Sequence, residues 1–572
     1  MKRSKQILLW GSLALLVSGC GPDNLASRFE QKRESDAKYV GQEVGNFTAD
    51  EWYPAGKLGT TLNVTAGCYE DETPATSEQG LMTAFNLGEA AFERNFTINT
   101  APFKGLGPAY LRTSCLDCHP GYGHGKRQQY YRAGFGNGYL LVIYHPADGA
   151  NSDDGPYVSE VTGMPQTKAV APFLPPIDEE QISINWLTVS QMESGLPLTF
   201  PDGEKYELIY PEVTIPRSAF NTDPTPYETG NQAVAFRLES TIGIIGTGLL
   251  DAIPEEDIKA QYQSEAPYVE LNPSFWDKEA NDFAATAWYS LAEGQFADGT
   301  PAPAGTKKLK RFTYAMTRAS LQDGAGANAI WNITNVSRAD RPYLYTTKAW
   351  AKAMSENADV IAAIQADPSS PYYADGTPAG IAEAVLNLLD PSTNQFDNAW
   401  HNFSPEMGDD QYYNFLVWYR GLSIPRARDL NRESVQRGKE VFKQIGCATC
   451  HRPSWETKDD NYWEPAILDG KPLPRYEKQK IFPYTDMIQH RLYMKNGIHG
   501  SWCRTTPLWG RGLSKVNTGA EDRLHDNRAR NVIEAIMWHG YSRKSDAFGA
   551  TEKFFYLSKE DRDAVVEFID AI

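Results

Sequence analysis

Two short segments hold the residues best suited to chemistry. Cys115-Leu116-Asp117-Cys118-His119 and Cys447-Ala448-Thr449-Cys450-His451 both read Cys-x-x-Cys-His. Two thiols one short turn apart can add to the two vinyl groups of one porphyrin, and the next residue then projects an imidazole under the ring to hold iron. A zinc knuckle uses the same Cys-x-x-Cys spacing, but no free cysteine pair is left to complete one. The spacing therefore predicts two covalently bound haem c groups. One is attached at Cys115 and Cys118 with His119 on its iron, the other at Cys447 and Cys450 with His451.

Each iron has a second axial side. Residues 530–539 read as a helix after the Asp526-Asn527 start signal, with Val532 and Ile536 four apart and His539 three further on. His539 thus emerges on the apolar face. A lone histidine there is ordinarily a core residue bonded to backbone, but a haem domain needs a ligand donor on such a face, so His539 is the candidate for the second haem. His490, His499 and His525 stand behind it. For the first haem the nearest imidazoles are His124 and His145.

The remaining cysteines bear on compartment. There are seven. Lys2, Arg3 and Lys5, an apolar run from Ile7 to Val17, and Val17-Ser18-Gly19-Cys20 form a secretory signal ending in a lipobox-like cleavage site. Cys20 is the expected lipidation site and residue one of the mature chain. The apolar run is too short to span a bilayer. That leaves Cys68 and Cys503, which in an oxidising compartment either pair as a disulfide or remain two buried thiols. Gly21 follows the lipidated cysteine, so the expected location is the bacterial cell envelope, facing the periplasm from the outer membrane. The net charge of −18 excludes nucleic acid as a partner. With 12% aromatic and 22% charged residues, the chain is expected to fold.

Several elements must position the two motifs. Leu81, Phe85, Gly88 and Phe92 share one face of a helix expected over Glu78–Arg94. Leu140–Tyr144, Tyr206–Tyr210 and Val213–Ile215 are β-rich runs, predicting a small antiparallel sheet between residues 138 and 220. Helical patterns return over 230–420. Val435, Val441, Phe442 and Ile445 point inward from a helix expected over Glu433–Ile445 and stopped by Gly446. Ser558 and Asp561 start a closing helix whose Val565, Val566, Ile569 and Ile572 share a face. The expected fold is mainly α, with two cytochrome c-like haem domains, a small inserted antiparallel β region and long irregular loops. The boundaries read are a signal at 1–19, a lipidated tether at 20–75, an N-terminal haem domain at 76–225, a central helical region at 226–428 and a C-terminal haem domain at 429–572.

With these segments in hand, the chain resembles the di-haem oxidoreductase family of peroxidase relatives, akin to bacterial di-haem cytochrome c peroxidase and MauG. The residues that carry the resemblance are Gly105-Leu-Gly-Pro108 before Cys115, Gly246–Pro254, Tyr419–Arg428, Gly438–Pro453, Arg504–Gly512 and His525–Gly540. The resemblance implies an enzyme reducing hydrogen peroxide, with electrons from a small redox carrier protein such as a cytochrome passing through the second haem. The other reading is a non-enzymatic electron-transfer or redox-sensing cytochrome. Asn531–His539 matches the family's distal-ligand segment, where the peroxidases usually place Met. Pro405-Glu406-Met407-Gly408 is similar to the stretch carrying their catalytic glutamate, which makes Glu406 the candidate base. Calcium is a further candidate cofactor. The chain departs from the family after Pro483-Tyr-Thr-Asp486, which leads here to His490-Arg-Leu-Tyr-Met494.

Overall fold

The computed structural model describes residues 36–97, 104–132, 134–144, 158, 160–222, 234–323, 325–338, 340–341, 343–392, 397–398, 401–402 and 404–572. The signal segment, Cys20 and His145 lie outside the described residues.

Two crossed helix pairs organise the molecule. In the first, Met82–Glu93 packs on Asp409–Arg420. The face expected for this helix is the one buried, with Phe85, Gly88 and Phe92 inward. Gly88 sits at the crossing, where a Cβ would meet the Asn414 carbonyl oxygen at 2.0 Å. The expected single helix over Glu78–Arg94 is divided into Pro74–Glu78 and Met82–Glu93. Gly80 lies between them with φ +72°, a left-handed conformation that ends a helix.

The second pair crosses Glu433–Ile445 with Lys559–Ala571. The first of these has the expected bounds, buries Val435, Val441, Phe442 and Ile445, and stops at Gly446 with φ +100°. Here Gly438 makes the close approach, with the Ala564 carbonyl oxygen 2.0 Å from where its Cβ would lie. Ser558 caps the closing helix by accepting the Asp561 N–H at 3.2 Å, an interaction worth about 1 kcal/mol. Val565, Ile569 and Ile572 are buried on it and Val566 is half-buried.

The expectation of a mainly α fold is overturned. The structure is 33% helical and 16% strand. Most strands are two or three residues long, too short to leave an alternating pattern. Within the stretch read as helical, Trp276–Asp277 pairs with Asp282–Phe283, Trp288–Ser290 with Lys307–Leu309, and Gly294–Phe296 with both Pro301–Ala302 and Trp463–Pro465. Longer antiparallel pairs lie where β-rich runs were read. Ser183–Thr188 pairs with Ile209–Thr214, and Tyr139–Tyr144 finds its partner beyond residue 220, in Ala235–Ser240.

Of the stretch read as a tether, residues 36–75 fold against the C-terminal half. Arg426 holds buried Asp36 through two bonds of 2.9 and 3.0 Å, and Thr60–Thr61 pairs in parallel with Ile424–Pro425. Lys439 reaches Glu51 at 2.6 Å. Among the described residues no helix is long and apolar enough to cross a membrane.

Candidate haem sites

The first motif is built as a capped turn. Ser114 accepts the Leu116 N–H at 3.3 Å, and the Asp117 carboxylate takes the N–H groups of Thr113 and Ser114 at 3.2 and 3.1 Å. These bonds fix Cys115–Asp117 as one 3-10 turn, which Cys118 and His119 continue by donating to the Cys115 carbonyl at 3.1 and 3.0 Å. Gly121, with φ +56°, lets the chain pass the Asn517 carbonyl, which a Cβ would meet at 2.1 Å. His119 Nδ1 lies 3.2 Å from the Gly123 carbonyl, leaving Nε2 as the ligand atom.

The second motif grows from a helix end. Cys447 donates to the Phe442 carbonyl at 3.1 Å, and His451 to the Cys447 carbonyl at 3.0 Å. His451 Nδ1 bonds the Tyr484 carbonyl at 2.9 Å. The facing helix is Val532–His539, and its cap is Asn531, which accepts the Glu534 N–H at 2.9 Å. The Asp526-Asn527 signal lies one turn earlier, where Asp526 holds Arg528 instead. His539 closes this helix with Nδ1 on the Ala535 carbonyl at 2.6 Å.

The ring centroids of His451 and His539 lie 6.5 Å apart with their planes inclined by 51°. Both Nδ1 atoms are spent on backbone carbonyls, so two Nε2 atoms remain for one ion between the rings. Burial pushes His119 and His451 down to about 4, and lowers His539 as well. All three imidazoles are therefore neutral at neutral pH, the form that binds metal. Two thiols and an imidazole at the first motif, and two thiols and two imidazoles at the second, fit a haem at each.

The first motif itself lines a cavity of about 560 Å³, within the range of cofactor sites, which a haem held by Cys115, Cys118 and His119 would occupy. Phe92, Trp418, Leu141, Val142 and Ile333 form its apolar wall beside Cys115, Cys118 and His119. Its polar lining includes Glu239, His499, Arg318, Asn328, Asn332 and Tyr345. Glu239 Oε2 stands 3.4 Å from His499 Nε2.

Other expected site residues fall elsewhere. Glu406 does not line this cavity. It pairs with Arg94 and accepts the Gly105 N–H at 3.1 Å. His124 accepts the Gly243 N–H at 3.1 Å through Nε2 and faces a smaller neighbouring cavity with Trp509 and Arg504. Of the two readings left open for Cys68 and Cys503, the structure has two separate thiols. Cys68 Sγ accepts from Asn517 Nδ2 at 3.3 Å, while Cys503 packs near Tyr314 and Val142. Burial pushes both thiols up to about 12. Glu239 was not legible as a site residue, and His499, read as a reserve ligand for the second haem, lines the first motif's cavity instead. One lies in a strand opposite Leu140 and the other in a single 3-10 turn, and neither belongs to a local motif.

Residues 394–572 match the model of the family described as "Di-haem oxidoreductase, putative peroxidase". The match contains the second motif and His539, and bears out the resemblance at family level over that segment. It implies haem as cofactor and oxidoreductase chemistry. No curated protein and no solved structure matches the chain.

Proposed function

We propose that this chain, a di-haem oxidoreductase by family over residues 394–572, reduces hydrogen peroxide at a haem attached to Cys115 and Cys118, using electrons passed through a haem attached to Cys447 and Cys450. The asymmetry of the two sites carries this reading. One pairs His451 with His539, and the other sets His119 in a cavity whose lining also holds Glu239 and His499, with His499 Nε2 turned to Glu239 at 3.4 Å.

When bound, haem supplies one-electron chemistry, and where one axial side is open it supplies a place for peroxide. The chain supplies the rest. His119, His451 and His539 are held by backbone carbonyls and so keep one orientation. Phe92 and Trp418 exclude water from the apolar wall. Splitting the O–O bond needs a proton taken from one peroxide oxygen and given to the other. Glu239, with His499 at 3.4 Å to share the proton, is suited to that transfer. Overall, peroxide, two protons and two electrons give two waters, the electrons coming from a small redox carrier protein.

Lipidation at Cys20, tethering to the outer membrane and a bridging calcium belong to the same proposal. The test is carrier-dependent peroxide reduction by purified holo-protein, together with the spectrum of the half-reduced state. A high-spin haem with turnover supports the enzyme. Two haems that stay low-spin and inert would make the protein an electron conduit or sensor instead.

A further inference from the structure

Beside the second motif lies a buried cluster that the haem assignments above do not use. His490, in the short strand Gln489–Arg491, points Nε2 at Asp486 Oδ2, 2.7 Å away, and at Glu265 Oε2, 3.6 Å away. Its Nδ1 faces Asp546 Oδ2 at 3.6 Å. The side chains of His490, Asp486 and Glu265 are 4%, 0% and 8% exposed, so the group is cut off from water.

Its acidic groups outnumber its basic ones, three carboxyls to one imidazole. Among the described residues none of the three carboxylates pairs with a lysine or arginine. Arg452, which feels Asp486 and Glu265 through space, spends its guanidinium on the Ser454 carbonyl and Gln261 and stacks on Trp455. Glu265 Oε1 takes a hydrogen bond from Gln261, but Oε2 accepts none and is aimed at the imidazole. A charged His490 would answer one carboxylate of three. Buried carboxylates without counter-charge are costly, and a bound cation is one of the few remedies.

We propose that His490 Nε2, Asp486 and Glu265 bind one divalent transition-metal cation, with Asp546 orienting the imidazole through Nδ1. One nitrogen and two carboxylates suit zinc or manganese, whereas calcium takes oxygen ligands. Metal-bound histidines commonly donate their other ring N–H to a carboxylate, and Asp546, which takes the Arg491 N–H at 2.9 Å, lies 3.6 Å from Nδ1, close enough to tighten into that role on metal binding. The donor atoms that all lie within 4.8 Å of one another are those of Cys450, Asp486 and His490; with Cys450 given to haem, Glu265, whose Oε2 is 3.6 Å from His490 Nε2, takes its place by closing on the cation. The closeness of Cys450 places the cation next to the second haem, where the added positive charge favours the ferrous state.

The test uses holo-protein carrying both haems. After dialysis against a chelator, titration with Mn²⁺ or Zn²⁺ alone should show one site per chain by calorimetry and elemental analysis. Its filling should raise the midpoint potential of one haem. Asp546→Asn should weaken binding 10- to 100-fold, and Glu265→Gln should abolish it with both haem spectra intact. If Glu265→Gln fails to fold, the wild-type titration decides alone. No binding by wild type, a preference for Ca²⁺, or unchanged binding in a folded Glu265→Gln would overturn the site. None of these outcomes depends on peroxide turnover, so the cation site and the proposed activity fail separately.

Discussion

Phe92 and Phe442 each place a ring centroid 6.2 Å from that of the histidine closing the nearby motif, His119 and His451 respectively. Each phenylalanine lies four residues after the glycine at a helix crossing, Gly88 or Gly438. Each glycine meets a backbone carbonyl, of Asn414 or Ala564, and the β-carbon of an aromatic residue one turn on, Trp418 or Phe568. The sequence around the two sites shows little else in common, yet the same packing unit stands behind both.

Filling either crossing should therefore injure one site and spare the other. Gly438→Ala forces a methyl against the Ala564 carbonyl and should cost about 1–3 kcal/mol, read as a lower unfolding midpoint. It should loosen the low-spin signal of the second haem only, and Gly88→Ala should disturb only the first. Loss of both signals in either variant would mean that the helix pairs are not independent supports.

His539→Gly should convert one low-spin haem to high-spin while both stay covalently attached. His539→Met should keep it low-spin and raise its potential, because a thioether favours ferrous iron. An unchanged ferric spectrum in His539→Gly would remove His539 from the iron.

Glu239→Gln should lower kcat for peroxide by about 10²–10⁴-fold, the usual weight of a general base, without changing haem content. Glu406→Gln should leave kcat near wild type, since that carboxylate is held by Arg94 and Gly105 away from the cavity. The reverse order of effects would restore Glu406 to the chemistry.

Acid should destabilise the fold through His525, which is 1% exposed and which burial holds at about 4, against an ordinary 6.5. Its neighbours Asp526, Arg528, Glu239 and His499 act on it without restoring its proton affinity. The unfolded chain binds that proton more tightly. Stability is thus full above 6.5 and declines as pH falls toward 4, by about 3 kcal/mol at most. Denaturant midpoints measured between pH 7.5 and 4.5 should show this slope, and His525→Gln should flatten it.

Replacing Cys115 and Cys118 by serine should leave one acid-stable haem where wild type holds two. A wild-type protein with no covalent haem, after maturation in a cytochrome c assembly system, would undo the reading of both motifs.

What the sequence made legible was local. The Glu433–Ile445 helix announces its inward face and its Gly446 stop in consecutive residues, and His539 shows on the apolar face of its own helix. The thiol and imidazole positions follow from spacing alone. Glu239, His499 and the Glu265–His490 cluster come together only through tertiary packing, and no local rule of period or capping points to them. The short ladders over 276–309 escaped for a related reason, since two or three residues cannot display alternation.

The two helix pairs differ in how the chain supplies them. The C-terminal pair joins residues 433–445 to 559–571 within one continuous stretch, but the N-terminal pair joins 82–93 to 409–420. As the polypeptide emerges from the ribosome, the first motif is complete long before its companion helix exists. Closing that long loop is slow and entropically costly. The segment carrying Cys115 and Cys118 is therefore the later of the two to be packed by its own helix pair. Phe415, Trp418 and Tyr419 of the later helix line the cavity at the first motif, so that cavity closes only with the long loop.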